Sequence, residues 1–390
     1  PRLGNNLFEA NRPRQTTRLL AAITETTMKT VNYALRSVIV ASALAAVTSS
    51  ANPFTTGNLL IYRVGDGSAA LAGTAAAVFL DEYSPLGTLV QSIPLPTTGD
   101  GQITATGNST TEGIMSLSQD GQKVIFTGYR AAVGASGFTA VNKVIGTVGL
   151  GGVPDTTSFA VTDVGANVIR SATSTDGSSL FYLGTANSVR YVGTPGSAAT
   201  SVSIDGRNSR QVLLNGNKLF ASNGSSGIAS KLQDYGTLPT GSTAATADVT
   251  LTTSDVFNGF ALFDLSSSEP GADTLYALNT FTSKLMKFSL VSGVWTANGS
   301  VSSGGAVDLT GYADGSTANL FLTSTSTLSS EIDPTGWNTT ITATPTTLAT
   351  AGANTALRGI VVLPSVPEPS TFCLALVGAA SLLALRRRQS

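Results

Sequence analysis

A turn that contains glycine, followed by a short apolar strand, recurs through the chain. It is clearest in DGQKVIFTGY (120–129), DGSSLFYLGT (176–185) and DGSTANLFLTST (314–325), and a second short strand follows each copy, as in NKVIGTVGL (142–150). Glycine after Asp or Asn favours a tight turn, because glycine adopts positive φ and the neighbouring side chain hydrogen-bonds the turn backbone. The pattern predicts many short strands joined by turns.

The copies recur at intervals of about 40 to 50 residues. A unit of that length with several strands is typical of a β-propeller blade, a twisted four-stranded sheet that buries its faces against its neighbours. We predict an all-β fold over 52–365, a β-propeller of seven blades. Because the intervals are uneven, six blades or a β-helix are the alternatives. NLLIYRVGDG (58–67) is expected to pair with GIVVLP (359–364) and close the ring. The marking glycines are Gly73, Gly121, Gly177, Gly216, Gly271, Gly315 and Gly352.

Composition supports a strand-rich body with a core. Charged residues make up 12% of the chain, against about 25% in ordinary proteins, while apolar residues make up 42%. That apolar content is sufficient for a core, so the low charge does not indicate disorder. Basic residues gather at the two ends, and the middle, 52–365, is acidic without a stripe of Lys or Arg. Because phosphate contacts need clustered cations, we expect no nucleic-acid partner.

The chain contains no histidine, which excludes Ser-His-Asp triads, Cys-His dyads and His-based metal sites. It also lacks the glycine motifs that cradle phosphates or dinucleotides. Its one cysteine, Cys373, lies close to the C-terminus, so the body has no thiol nucleophile and no intramolecular disulfide. We therefore expect no cofactor, no metal site and no catalytic motif.

Carboxylates remain as candidate site groups. Asp81 and Glu82, at a strand end, would form an acid–base pair of the kind used in glycoside hydrolysis, but a solvated strand edge accounts for them better. Arg358 is expected to point into the channel or to lie as a surface charge at a strand end. Five Asp-Gly turns would bind Ca²⁺, but none has the spacing of a dedicated calcium loop, so turn chemistry is the favoured interpretation. These turns begin at Asp66, Asp120, Asp176, Asp205 and Asp314.

Aromatic side chains offer stacking surfaces for sugar rings, but most of them lie in apolar strand runs and are better assigned to the core. The residues concerned are Tyr62, Tyr129, Tyr182, Tyr191, Tyr276 and Trp295.

The stretch 28–51, MKTVNYALRSVIVASALAAVTSSA, has the three parts of a secretory signal peptide. Two basic residues precede an apolar run at 38–47, which is too short to span a membrane, and small residues end the stretch. We predict that signal peptidase cleaves after Ala51; a buried strand or helix is the alternative. Residues 1–27 are interpreted as an over-extended or non-native segment, with a long positive region of the signal as the alternative.

The chain ends in VPEPSTFCLALVGAASLLALRRRQS, residues 366–390. A Pro-Glu-Pro precedes an uncharged run at 371–385, which is marginal for crossing about 30 Å of hydrocarbon as a helix. The arginines that follow favour the cytoplasmic side, so we predict a single C-terminal transmembrane helix that holds the exported body at the inner membrane. The residues expected to act in sorting are Pro367, Glu368, Pro369, Arg386, Arg387 and Arg388.

This tail resembles the PEP-CTERM protein-sorting signal of Gram-negative bacteria, in which the same three parts stand in this order at the extreme C-terminus. The resemblance covers 366–390 only. It implies processing by an exosortase, a membrane cysteine transpeptidase, in bacteria that make exopolysaccharide and biofilms. The protein is then expected at the inner membrane in transit, and at the cell surface or outside the cell afterwards. The body resembles secreted, divergent seven-bladed propellers, without the Trp-Asp and Gly-His signatures of one well-known subclass.

Two classes of function follow from these observations. The first is a non-enzymatic surface or matrix protein whose propeller binds exopolysaccharide or envelope proteins. The second is a secreted carbohydrate- or ester-acting hydrolase that uses carboxylates in the propeller channel. The lack of histidine and of any catalytic motif favours the first.

The tail generates a test of sorting. Replacing Glu368 by Ala removes the charge of the Pro-Glu-Pro but leaves the signal peptide and the basic cluster intact. We expect export to continue and tail processing to stop in a host that carries an exosortase, as measured by the mass of the exported protein. Gln389→Ala is the matched control and should be processed normally. Normal processing of Glu368→Ala would contradict the assignment of the tail.

Overall fold

A computed structural model describes residues 52–364 of the chain. The segment 1–27, the predicted signal peptide at 28–51 and the tail at 366–390, with its expected transmembrane helix, lie outside the described residues. Within the described range, no helix is long and apolar enough to cross a membrane. The elements there are β-strands, apart from one 3₁₀ turn at Phe138–Ala140.

The strands pair antiparallel into six sheets, which we call blades I to VI. Blades I and II are joined by a short strand that pairs with both. Blade I contains β1 (Leu59–Val64), β2 (Ala75–Tyr83), β3 (Leu89–Pro94) and the last strand of the body, β26 (Ala356–Val362). Blade II contains the joining strand β4 (Thr104–Thr106) together with β5 (Ser116–Leu117), β6 (Lys123–Tyr129), β7 (Lys143–Gly149), β8 (Pro154–Asp155) and β9 (Ala160–Val161).

Blades III to VI are separate four-stranded sheets whose strands follow one another in chain order. Blade III contains β10 (Ile169–Ser174), β11 (Phe181–Thr185), β12 (Val189–Val192) and β13 (Val202–Asp205). Blade IV contains β14 (Ser209–Asn215), β15 (Lys218–Asn223), β16 (Ser230–Thr237) and β17 (Thr246–Thr250). Blade V contains β18 (Phe257–Phe263), β19 (Thr274–Asn279), β20 (Lys284–Val291) and β21 (Val294–Ser302). Blade VI contains β22 (Asp308–Asp314), β23 (Thr317–Thr323), β24 (Thr327–Asp333) and β25 (Thr346–Thr350).

The predicted closing pair is present. β26 lies antiparallel to β1, with Leu60 opposite Val361 and Ile61 opposite Ile360. The innermost strands of successive blades contact one another in a closed cycle, in which β22 contacts β26 and β26 contacts β5. The body is therefore a β-propeller, and one blade is built from both ends of the described chain.

Buried apolar clusters fill the spaces between successive blades, one cluster at each of the six interfaces. Leu60 and Phe126 belong to the cluster between blades I and II, and Ile61 and Phe321 to the one between blades VI and I. Four further clusters fill the remaining interfaces. Because both faces of each sheet are covered, central strands are runs of apolar or small residues, as in β11, where every residue is buried.

The prediction of seven blades is wrong, and the alternative of six is what the strand pairing shows. Two of the marking glycines belong to one blade: Gly352 precedes β26, and Gly73 lies between β1 and β2, so both fall in blade I. Closure of the ring splits this blade between the two ends of the body. A count of turns along the chain therefore counts blade I twice.

A polar cluster is buried between blades V and VI. Lys287 Nζ lies 2.8 Å from a carboxylate oxygen of Asp333, with both side chains almost fully buried, and the Tyr276 hydroxyl donates to the same oxygen at 2.6 Å. Glu331, two residues earlier on β24, is 3% exposed, and neither of its carboxyl oxygens has a hydrogen-bond partner. Burial, and then the Asp333 charge, raise the pKa of Glu331 to about 8.

This carboxyl makes stability depend on pH. Between its ordinary pKa of 4.5 and about 8, the folded chain holds a proton on Glu331 that the unfolded chain releases. The free energy of unfolding should therefore fall as pH rises through that window, by an amount on the order of a few kcal/mol. Glu331→Gln stays neutral and should show a clearly smaller fall, as measured by urea unfolding at both ends of the window; Asp308, whose pKa burial also raises to about 8, accounts for part of the fall that remains. Asp264→Asn, at an exposed position, is the control. An unchanged pH dependence in Glu331→Gln would contradict the expectation.

Candidate functional site in the channel

Polar side chains gather at the end of the channel where the innermost strands begin. Arg170 and Arg210 are the second residues of β10 and β14, Asn258 is the second residue of β18, and Arg358 is the third of β26. Glu112 stands on the segment that leads into β5. In blades III to VI the chain enters through the innermost strand, and it passes from blade VI into β26 in the same way, so these positions fall at the same end of the ring. We call the five residues the channel tier.

Arg358 is the most deeply buried member of the tier, at 1% exposure. Its Nη2 donates to the carbonyl oxygens of Thr106 and Gly107, at 2.5 and 2.8 Å. Its Nε and Nη1 are buried without a partner. Arg358 is thus buried against the segment that follows β4, which excludes the surface charge expected as one of its two positions.

Arg170, at 8% exposure, is also only partly satisfied. Its Nη1 donates to Asn208 Oδ1 at 2.6 Å and to the Ser209 carbonyl at 3.3 Å, while its Nε has no partner. Burial lowers the pKa of Arg170 to about 10, against a smaller opposing effect of Glu112. The neighbouring arginine, Arg210, has more guanidinium nitrogens without a hydrogen-bond partner.

Arg210 is partly exposed, but its Nε and Nη1 are buried and have no hydrogen-bond partner. Burial, and then repulsion from Arg170, lower the pKa of Arg210 to about 9. The guanidinium packs against Gly224, where a Cβ would lie only 2.1 Å from Arg210 Nε. A glycine at 224 is therefore needed for the side chain to take this position.

Glu112 is the carboxylate of the tier. One oxygen accepts the Thr106 backbone N–H at 3.0 Å and the other accepts the Thr106 hydroxyl at 2.8 Å. Burial raises the pKa of Glu112, and the charge of Arg358 acts in the opposite direction. At the same end of the ring, Asp308, the first residue of β22, accepts the backbone N–H groups of Leu309 and Ile360 at 2.9 and 3.1 Å. Two engaged carboxyl groups thus accompany three guanidinium groups, and the tier is positively charged.

A loop closes over this end of the channel. Residues 107–113 connect β4 to the segment before β5, and the Thr110 carbonyl accepts a bond from Asn258 Nδ2 at 3.5 Å, across the ring in blade V. The second side-chain atom of that amide, Asn258 Oδ1, is buried without a partner. The tier therefore lies beneath a loop, with Arg210 as its partly exposed member.

The carboxylates proposed from the sequence do not form a site. Asp81 and Glu82 are buried, at 2% and 0% exposure, so the favoured interpretation as a solvated strand edge is also wrong. Arg63 Nε lies 2.5 Å from Asp81 Oδ2. Glu82 accepts the Asn58 side-chain amide and that of Gln91, both at 2.7 Å. Successive residues of a strand point to opposite faces, so the two carboxylates hold different neighbours in place.

Other predicted candidates serve the fold. In the Asp-Gly turns at Asp66, Asp120 and Asp176, a carboxylate oxygen accepts the backbone N–H two residues further on, which is turn chemistry. Four of the tyrosines are fully buried in the core, whereas Tyr191 and Trp295 are partly exposed. The fully buried ones are Tyr62, Tyr129, Tyr182 and Tyr276.

A cavity of about 430 Å³ lies between blades IV and V. Trp295, Lys218 and two carboxylates, Asp234 and Asp248, line it. Lys218 Nζ lies 2.9 Å from Asp234 Oδ2. Burial, and then the Asp234 charge, raise the pKa of Asp248 to about 6. A carboxyl group with a raised pKa beside a second carboxyl group is an arrangement found in acid–base pairs.

Sequence reasoning missed Arg170, Arg210 and the two acids of the cavity between blades IV and V. A signal for the arginines was present: each stands a few residues before an Asp-Gly or Asn-Gly turn, in the strand that enters a blade. Alignment of the repeats on those turns places both arginines in innermost strands, where a charge is unexpected. Asp234 and Asp248 carry no such signal, because they meet through the pairing of β16 with β17.

Comparison with protein families identifies a PEP-CTERM protein-sorting motif at residues 365–388. The chain thus carries the sorting signal of an exported protein, as its tail predicted. A comparison with curated proteins found no match.

Three solved structures illustrate what the body is similar to. One, a nidogen/laminin complex, has 13% identity and a TM-score of 0.48 over 78% of this chain and 98% of its own. A putative 6-phosphogluconolactonase from Bacteroides fragilis has 12% identity and a TM-score of 0.46, over 77% and 83%. The periplasmic gluconolactonase of Pseudomonas aeruginosa has 14% identity and a TM-score of 0.45, over 78% and 100%. At these values the likenesses carry no argument about activity, and the propeller assignment depends on the strand pairing described above.

Proposed function

We propose that the protein is a non-enzymatic binding protein of the cell surface or extracellular matrix, which an exosortase-type system sorts after export. The motif at 365–388 supports export and sorting. The proposed targets of the propeller are exopolysaccharide or other envelope components, which an exosortase substrate meets at the surface. A transmembrane helix in the tail and a role in biofilm belong to the same proposal.

The composition of the channel tier is the observation that carries a binding role. Functional groups of propellers usually stand on loops and at the channel, because the blades themselves are packed sheets. Here that position holds three guanidinium groups and two carboxyl groups, which are already engaged: Glu112 by Thr106, and Asp308 by the backbone N–H groups of Leu309 and Ile360. Guanidinium donates hydrogen bonds but accepts none, so the tier is suited to binding an anion.

A hydrolase remains the second candidate, and one observation favours it. Asp234 and Asp248 line a cavity together with Trp295, a surface for a sugar ring, and the pKa of Asp248 is raised to about 6. A pair of carboxyl groups, one with a raised pKa, is what glycoside hydrolysis commonly uses. The hydrolase, if present, would act in this cavity between blades IV and V, and its carboxylates would not be those of the channel.

A turnover assay separates the two functions. The exported protein is incubated with polysaccharide from its host, and new reducing ends are measured. We expect no increase over buffer for the wild type. Asp248→Asn tests the cavity, and Asp264→Asn, at an exposed position, is its matched control. The binding proposal would be overturned, and the hydrolase established, if the wild type and Asp264→Asn released reducing ends and Asp248→Asn did not.

A further inference from the structure

The channel tier holds positive charge that its protein neighbours do not neutralise. Five guanidinium nitrogens are buried without a hydrogen-bond partner, although nearly all buried polar groups in proteins have one. They are Arg170 Nε, Arg210 Nε, Arg210 Nη1, Arg358 Nε and Arg358 Nη1.

The shortage of negative charge is greatest at Arg210. Glu112 acts on both Arg358 and Arg170, so its one charge is divided between two guanidiniums. The neighbouring charge that acts on Arg210 is that of Arg170, and it is repulsive. Guanidinium does not lose its proton in proteins, so these side chains cannot become neutral to relieve the cost of burial. An uncompensated buried charge is strongly destabilising, and an anion would remove that cost.

The unpaired donors are of the type that oxyanions accept. Guanidinium N–H groups donate charge-assisted hydrogen bonds to the oxygens of a carboxylate or a phosphate. Arg210 Nε and Nη1 point in different directions and therefore donate to separate acceptor atoms, and the Arg170 Nε is unpaired as well. The packing of Arg210 on Gly224 holds its guanidinium in place, which reduces the entropy lost on binding.

We infer that Arg170 and Arg210 form a binding site for a small oxyanion group, a carboxylate or a phosphate, beneath the loop at 107–113. Arg358 and Glu112 complete the wall of this site. The loop limits the ligand to a small group, and the partly exposed side of Arg210 is the route by which it enters. The inference depends on the proposed function as a binding protein, and it names the chemistry of the ligand at the channel.

Binding is tested on the exported protein by thermal unfolding and titration calorimetry. The probes are inorganic phosphate and glucuronate, and sodium chloride at the same ionic strength corrects for general screening. We expect both oxyanions to raise the melting temperature by several degrees beyond chloride. Arg210→Met should lose this increase and bind at least tenfold more weakly. Arg207→Met is the matched control, because Arg207 pairs with Asp205 at a partly exposed position, and it should behave as the wild type.

A second variant covers the case in which Arg210→Met does not fold. Arg210→Lys keeps the charge but replaces the several donors of the guanidinium by a single ammonium group, so it should still bind glucuronate more weakly than Arg207→Met does. Tighter binding of glucuronate than of phosphate would identify a sugar-borne carboxylate as the source of the anion, and the reverse would identify a phosphate.

An effect of the oxyanions no larger than that of chloride, or an equal effect in Arg210→Met and Arg207→Met, would overturn the site. Neither result bears on the turnover assay. If the anion site failed and no reducing ends were released, the protein would still be a binding protein, with a target other than a small oxyanion. Conversely, release of reducing ends would reject the proposed function while the anion site stood.

Discussion

The antiparallel pairing of β26 with β1 is the interaction on which the rest of the ring depends. It joins the two ends of the body in one blade, and its side chains alternate between two interfaces: Leu60 packs toward blade II, whereas Ile61 packs toward blade VI. The same strand carries Arg358 into the channel. Closure therefore completes the hydrophobic core and the charged tier together, and the proposed anion site exists only in the closed ring.

Much of the fold was predictable because its repeat is local. Asp-Gly and Asn-Gly turns mark where a strand ends, and the segments at 58–67 and 359–364 are apolar enough to identify the closing pair. The number of blades was not predictable from the same signal. Gly73 and Gly352 look like two units along the chain, and only the pairing of β26 with β1 places them in one sheet.

The candidate site was less predictable, because the direction of a side chain depends on which face of a sheet its neighbours cover. Asp81 and Glu82 look like a surface pair in sequence, but each is buried against its own polar partners. Arg358 was recognised as a channel candidate because it adjoins the closing strand. Arg170 and Arg210 become significant only when their blades lie side by side and leave both guanidiniums short of acceptors.

Native-state hydrogen exchange of the exported protein tests the closure most directly. If β26 is an integral part of blade I, its amides exchange only through global unfolding and show the same opening free energy as amides of β19, a central strand of blade V. Exchange of β26 through a separate opening of much lower free energy, while β19 remains protected, would contradict the account, because the ring and its charged tier would then stand without the closing strand.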